Sequence, residues 1–243
     1  MVKKKRVLSA LLLFFLIISV TCNVAVCIRY NIFEKMFGCI NHIGAYDTMV
    51  SDISSKESYL QNPQYNARLS TFELYENDTD IIFAGDSITE KISWNELFPS
   101  IECLNRGIGS DTTEGLLHRI DEIVLHRPNK IFILIGINDL SSGIAPEQAK
   151  NNMAAILEHI HSELPECGIF VESVLYAKDI DNNDVDLLND YYKSVCMENS
   201  YAAFVDLRPV INLGGGQTYS ADGVHLNGDG YALLASVLKD YVY

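Results

Sequence analysis

At 243 residues, with 48% of them hydrophobic, the chain can bury one large core or two small ones, which excludes a wholly disordered protein. The formal net charge is −14. Four of the 18 cations lie in residues 1–28, which hold no acid, so the remainder sets 14 cations against 32 acids, a balance that argues against nucleic acid and anionic lipid surfaces as partners.

The first element is a basic cluster, Lys3-Lys4-Lys5-Arg6, followed by an uncharged run over residues 7–28. As a helix this run would span about 33 Å, enough for the hydrocarbon core of a bilayer. It is longer than the apolar part of a cleavable signal. Ser19-Val20-Thr21-Cys22 also makes a poor processing site and a poor lipoprotein box. These features favour an uncleaved single-pass transmembrane anchor over secretion after signal cleavage. The basic cluster should stay cytoplasmic, which puts residues 29–243 on the extracytoplasmic face of the cell membrane. Residues 29–61 mix Gly, Ser and charge with little periodicity and read as a membrane-proximal stalk.

The remainder, 62–243, reads as one α/β domain. Tyr65, Leu69 and Phe72 recur at helical spacing, so a short helix is expected over 65–75. Short apolar runs predict strands over 80–84, 101–104, 130–135, 168–175 and 202–207. Helical patterns separate them over 89–98, 112–126, 146–164, 185–199 and 229–242. Alternation of this kind implies crossovers and a parallel sheet, and continuous rather than alternating apolar runs imply burial on both faces. Asp111 with Glu114 reads as a capping box, and Asn227 as the cap of the last helix. Cys39, Cys103, Cys167 and Cys196 fit no metal-binding spacing and read as small core residues, with a disulfide as the lesser alternative.

Ligands of open parallel sheets bind beyond the carboxyl ends of the strands. The polar blocks at those positions are Gly85-Asp86-Ser87, Gly107-Ile108-Gly109-Ser110-Asp111 and Gly136-Ile137-Asn138-Asp139. Asp222-Gly223-Val224-His225 follows, before the last helix. Acyl transfer needs a nucleophile, a base, a group that orients the base, and donors for the oxyanion. Ser87, His225 and Asp222 can fill the first three roles. The Ser87 and Ser110 N–H groups and the Asn138 amide can fill the fourth.

Each block also has a plainer reading. Gly-Asp-Ser is ordinary turn chemistry, and Ser87 with Glu90 matches a capping box. Asn138-Asp139 is a common turn or cap. Gly107 and Gly109 can serve only to permit unusual backbone angles, and Asp222 with His225 can be a surface hydrogen bond. Asp86 and Asp139 read as structural, bonding loop backbone. His42, His118, His126, His159 and His161 lack a partner pattern and read as surface or core residues.

Taken together and in order, the blocks resemble the SGNH hydrolase family of GDSL-like lipases and acylhydrolases, in particular its platelet-activating factor acetylhydrolase-like branch. The matching segments are Phe83 to Thr89, Asn105 to Thr113, Gly136 to Asp139 and Asp222 to His225. The resemblance implies a flavodoxin-like three-layer α/β/α sandwich with about five parallel strands. It also implies a Ser87-His225-Asp222 triad, an oxyanion hole from Ser87, Ser110 and Asn138, and support from Asp86, Gly107 and Gly109. One position departs from the family pattern: Ser110 stands where a glycine is usual. No metal or organic cofactor is implied.

The expected reaction is hydrolysis of small-molecule, glycan or lipid carboxylic esters. Short strand-to-helix connections leave little room for a long-chain lid, so short acyl groups such as acetyl are favoured. Acyl transfer to a glycan hydroxyl would use the same residues, and a non-catalytic binding protein on this scaffold is the alternative of a different class.

Overall fold

Five short runs form the sheet, four of them dominated by apolar side chains. In the computed structural model, which describes residues 62–75, 77–211 and 219–243, these are β1 (Ile81–Gly85), β2 (Cys103–Gly107), β3 (Lys130–Leu134), β4 (Gly168–Glu172) and β5 (Ala202–Val205). All neighbours are parallel, in the order β2-β1-β3-β4-β5. The chain order reverses direction between β1 and β3, and such a switch opens a crevice at the carboxyl edge. The basic cluster, the apolar run at 7–28 and the stalk at 29–61 lie outside the described residues. Among those described, no helix is long and apolar enough to cross a membrane.

The helices are α1 (Pro63–Phe72), α2 (Ser87–Glu90), α3 (Trp94–Leu97), α4 (Thr113–His118), α5 (Ile120–Val124), α6 (Ile137–Ser141), α7 (Pro146–Glu163), α8 (Asn182–Glu198) and α9 (Gly228–Val242). Alternation along each strand divides the core in two. Ile82, Ile131, Ile133 and Val171 face α4, α5, α7 and α8. Ile81, Phe83, Phe132 and Leu134 face α2, α3 and α9. The strand register aligns Phe83, Phe132 and Phe170. Their rings stack at 5.0 and 4.8 Å, and Trp94 lies over Phe83 at 3.7 Å.

Two expected helices are broken. The one expected over 89–98 divides into α2 and α3. The one expected over 112–126 divides at Arg119, whose guanidinium turns inward to Asp111 Oδ2 (3.0 Å) and the Gly85 carbonyl (3.2 Å). The fourth strand ends at Glu172 rather than 175. Asn227 caps α9 as expected, accepting the Gly230 N–H. Cys103, Cys167 and Cys196 are buried free thiols, and Cys39 lies outside the described residues.

Candidate active site

The nucleophile candidate owes its position to its neighbour. Asp86, not Ser87, caps α2: its carboxylate accepts the Ile88 N–H at 2.9 Å. Ser87 therefore is the first helical residue, and the expected Ser87–Glu90 capping box does not form. The hydroxyl is thereby spared from capping. Asn105 secures the other end of α2, its amide donating to the carbonyls of Thr89, Glu90 and Ile92 at 2.9–3.1 Å.

The base candidate arrives on the loop before α9. Ser220 and Leu226 pair across it, and the Ser220 hydroxyl donates to the His225 carbonyl. Lys178 N–H donates to the Gly223 carbonyl at 2.8 Å, tying this loop to the segment after β4. Asp222 Oδ1 accepts the N–H groups of Val224 and His225 at 3.0 and 2.8 Å. Its Oδ2 lies 2.6 Å from His225 Nδ1, and His225 Nε2 lies 2.9 Å from Ser87 Oγ. These bonds hold the Asp222 carboxyl well below the usual carboxylate range, the ring N–H contributing most. An ionised Asp222 can only accept, so Nδ1 carries the proton and Nε2 is the acceptor that faces the Ser87 hydroxyl. The plain surface-hydrogen-bond reading of Asp222 and His225 is therefore incomplete. Tyr231, on α9, closes the arrangement: its hydroxyl donates to the Ile88 carbonyl at 2.7 Å.

The loop after β2 brings the third component. Ile108 N–H donates to the Gly85 carbonyl at 3.0 Å. Gly107 has an ordinary backbone angle, contrary to the conformational reading, and is required for space. A methyl group there would lie 2.2 Å from the Glu90 backbone nitrogen. Ser110 instead holds the left-handed conformation, with φ of 62°, which L-residues rarely adopt and which clusters at functional sites. Among the described residues neither the Ser87 nor the Ser110 N–H has an acceptor. Asn138 sits in α6, which sequence periodicity missed. Its amide donates to the Asp111 carbonyl at 2.9 Å, binding it to the Ser110 loop. It caps nothing; Gly136 starts that helix.

Beneath these groups lies a layer of buried acids. Asp111 does not cap α4, since Thr112 does so. Asp111 pairs instead with fully buried Arg119 and accepts the Thr112 N–H. Asp139 accepts the Thr113 N–H and hydroxyl, fixing α6 to α4. Asp86 and Asp139 thus bond backbone as expected. Burial pushes Asp86 up to about 7 and Asp111 and Asp139 up to about 6. Glu172, at the end of β4, is pushed up to about 8 by burial and by the neighbouring Asp86. No local sequence pattern singles out Glu172, Arg119 or Tyr231, because only the fold brings them to this edge. Of the histidines, His126 is buried against Arg106 and the Asn77 carbonyl. His159 pairs with Asp121 and His161 stacks on Tyr201. None of these belongs to the site, and His42 lies outside the described residues.

The whole arrangement can deprotonate a hydroxyl and offer donors to an adjacent anion. Comparison with known proteins gives the same direction. The model of the GDSL-like Lipase/Acylhydrolase family matches residues 83–233. A Drosophila melanogaster protein named platelet-activating factor acetylhydrolase IB subunit beta homolog is 35% identical over 106 residues, which is 41% of this chain and 46% of that one. The chain thus aligns with about half the length of such curated relatives. A structure from Streptococcus pneumoniae, described as a platelet activating factor, has a TM-score of 0.69 at 27% identity and covers 80% of this chain and 99% of that one. A GDSL-like lipase from Bacteroides thetaiotaomicron has a TM-score of 0.64 at 21% identity, covering 73% and 96%, and shares the fold.

Proposed function

The chain belongs to the GDSL-like lipase/acylhydrolase (SGNH hydrolase) family, and from that premise we propose that it is an ester-bond hydrolase that cleaves short-chain carboxylic esters with Ser87 as nucleophile. The observation that carries the reading is the continuous line of bonds from Ser87 Oγ through His225 to Asp222.

Ser87 Oγ attacks the ester carbonyl carbon as His225 Nε2 takes its proton. The charge that develops on the carbonyl oxygen is met by the Ser87 and Ser110 N–H groups and by the second N–H of the Asn138 amide, the first being held by Asp111. Asp222 stabilises the imidazolium. Collapse of the tetrahedral adduct breaks the C–O bond, and His225 returns the proton to the departing alcohol. Water then attacks the acyl-serine with the same proton path and frees the acid.

Acetyl groups are the favoured acyl part. Support comes from the acetylhydrolase relatives and from the short connections after the strands. We also propose that residues 7–28 anchor the protein with its hydrolase domain outside the cell, on the strength of the uncharged run behind a basic cluster. Membrane fractionation with external protease would test that placement.

The full-length protein, with Ser87→Ala beside it, should be assayed on p-nitrophenyl acetate, butyrate and octanoate. Hydrolysis that falls with chain length and vanishes in the variant is expected. Equal rates in both proteins would remove Ser87 from the reaction.

A further inference from the structure

The segment that precedes the family match contributes a charged residue to the edge of the site. Arg68, on α1, donates from Nε to the Gly107 carbonyl at 3.3 Å and lies 3.5 Å from Glu90 Oε1. Both side chains are about one-third exposed, at 34% and 32%. Glu90 ends α2, the helix that Ser87 begins. Its other oxygen lies against the loop after β2: a methyl group at Gly109 would stand 2.9 Å from Glu90 Oε2 and 4.0 Å from Ser87 Cβ. A carboxylate therefore borders the backbone next to Ser110, where the reading above places the oxyanion.

A negative charge at that place opposes the reaction. The tetrahedral adduct carries new negative charge, and a carboxylate within a few ångströms raises its energy more than that of the neutral ester. α1 supplies the compensation. It is held there by the Tyr65 hydroxyl, which donates to the Gly115 carbonyl at 2.8 Å, and by the packing of Tyr65 and Phe72 on Ile108. Phe72 carries the Arg68 guanidinium 5.0 Å from its ring centre, and Arg106 and Arg119 approach the same ring at 4.6 and 6.0 Å.

We propose that Arg68 is a positioning residue that neutralises Glu90 beside the oxyanion hole, so that the working catalytic unit includes α1. The inference rests on the Ser87 mechanism. Arg68 orients and screens; it does not touch substrate.

The test is a cycle on full-length protein with p-nitrophenyl acetate, using Arg68→Ala, Arg68→Lys and the pair Arg68→Ala with Glu90→Gln. Arg68→Ala should lower kcat about tenfold, the effect of one uncompensated charge at this range, with KM moving less than about twofold. Arg68→Lys should retain most of the rate. Removing the charge of Glu90 from the Arg68→Ala protein should restore it. A double variant as slow as Arg68→Ala, with an unchanged melting temperature, would show that Arg68 acts only by holding the loop and would overturn the proposal. So would an unaltered kcat in Arg68→Ala. Ser87→Ala separates the two levels: loss of its activity keeps the Ser87 mechanism whatever the Arg68 result, and full activity there would sink both.

Discussion

Asp222 grips His225 twice, with Oδ2 at 2.6 Å from the ring Nδ1 and Oδ1 at 2.8 Å from the residue's own backbone nitrogen. One carboxylate thus sets both the tautomer and the loop that carries the ring. Asp222→Asn keeps the size but offers an N–H where the ring needs an acceptor. We predict that kcat falls roughly 10²- to 10⁴-fold while the fold survives. Steady-state kinetics beside a circular dichroism melt will decide it, and a loss below about tenfold would reduce Asp222 to a loop residue.

Asn138→Ala removes the bond to the Asp111 carbonyl and, on the proposed mechanism, one donor to the oxyanion. The expected loss is about a hundredfold to a thousandfold in kcat. A variant that turns over at the wild-type rate would take Asn138 out of the mechanism.

Ser110 holds a left-handed backbone that glycine adopts without strain. Ser110→Gly should relieve roughly 1–2 kcal/mol of strain and lose part of that to the freer unfolded chain. The net expectation is a melting temperature higher by about 1–4 °C, with esterase activity preserved because the N–H is unchanged. A lower melting temperature would mean that the serine side chain makes a stabilising contact of its own.

Glu172 and Asp86 make stability depend on pH. Both bind protons more tightly folded than unfolded, where carboxyls titrate near about pH 4. The folded state holds the extra protons across the window from there to about 7 for Asp86 and about 8 for Glu172. Stability is therefore full at the acid end and falls as pH rises through it. Asp222, held low, works the other way and costs stability only on further acidification. Thermal melts at pH 5 and pH 8 should show a drop in the wild type that Glu172→Gln makes shallower. Parallel curves for the two proteins would refute the assignment to Glu172.

Much of this site is legible from local patterns. Buried parallel strands announce themselves as short apolar runs, and three of the polar blocks each follow one of them, which puts Ser87, Ser110 and Asn138 at one sheet edge by position alone; His225 joins them only through its role and the family resemblance of its block. What escaped depends on long-range partners. Ser87 and Asp86 are equally good caps by composition, and the choice between them follows from the carboxylate's reach to the Ile88 N–H. Arg119 interrupts a helix because Asp111 and the Gly85 carbonyl draw its guanidinium inward. Glu172 looks like a strand end facing water until β5 and Asp86 close around it.

The hydrogen bond from Tyr231 to Ile88 joins residues 143 positions apart, and it has a bearing on when the enzyme comes alive. Ser87, the proposed nucleophile, is made early during synthesis and His225, the proposed base, late. All five strands precede the base loop and α9 in the chain, so a nascent polypeptide stalled before α9 would own its whole sheet and still lack a docked His225. Ribosome-bound chains halted on either side of α9 should differ in esterase activity, with the shorter ones silent. Ester cleavage would then mark the moment α9 docks, making the chain a reporter of its own folding.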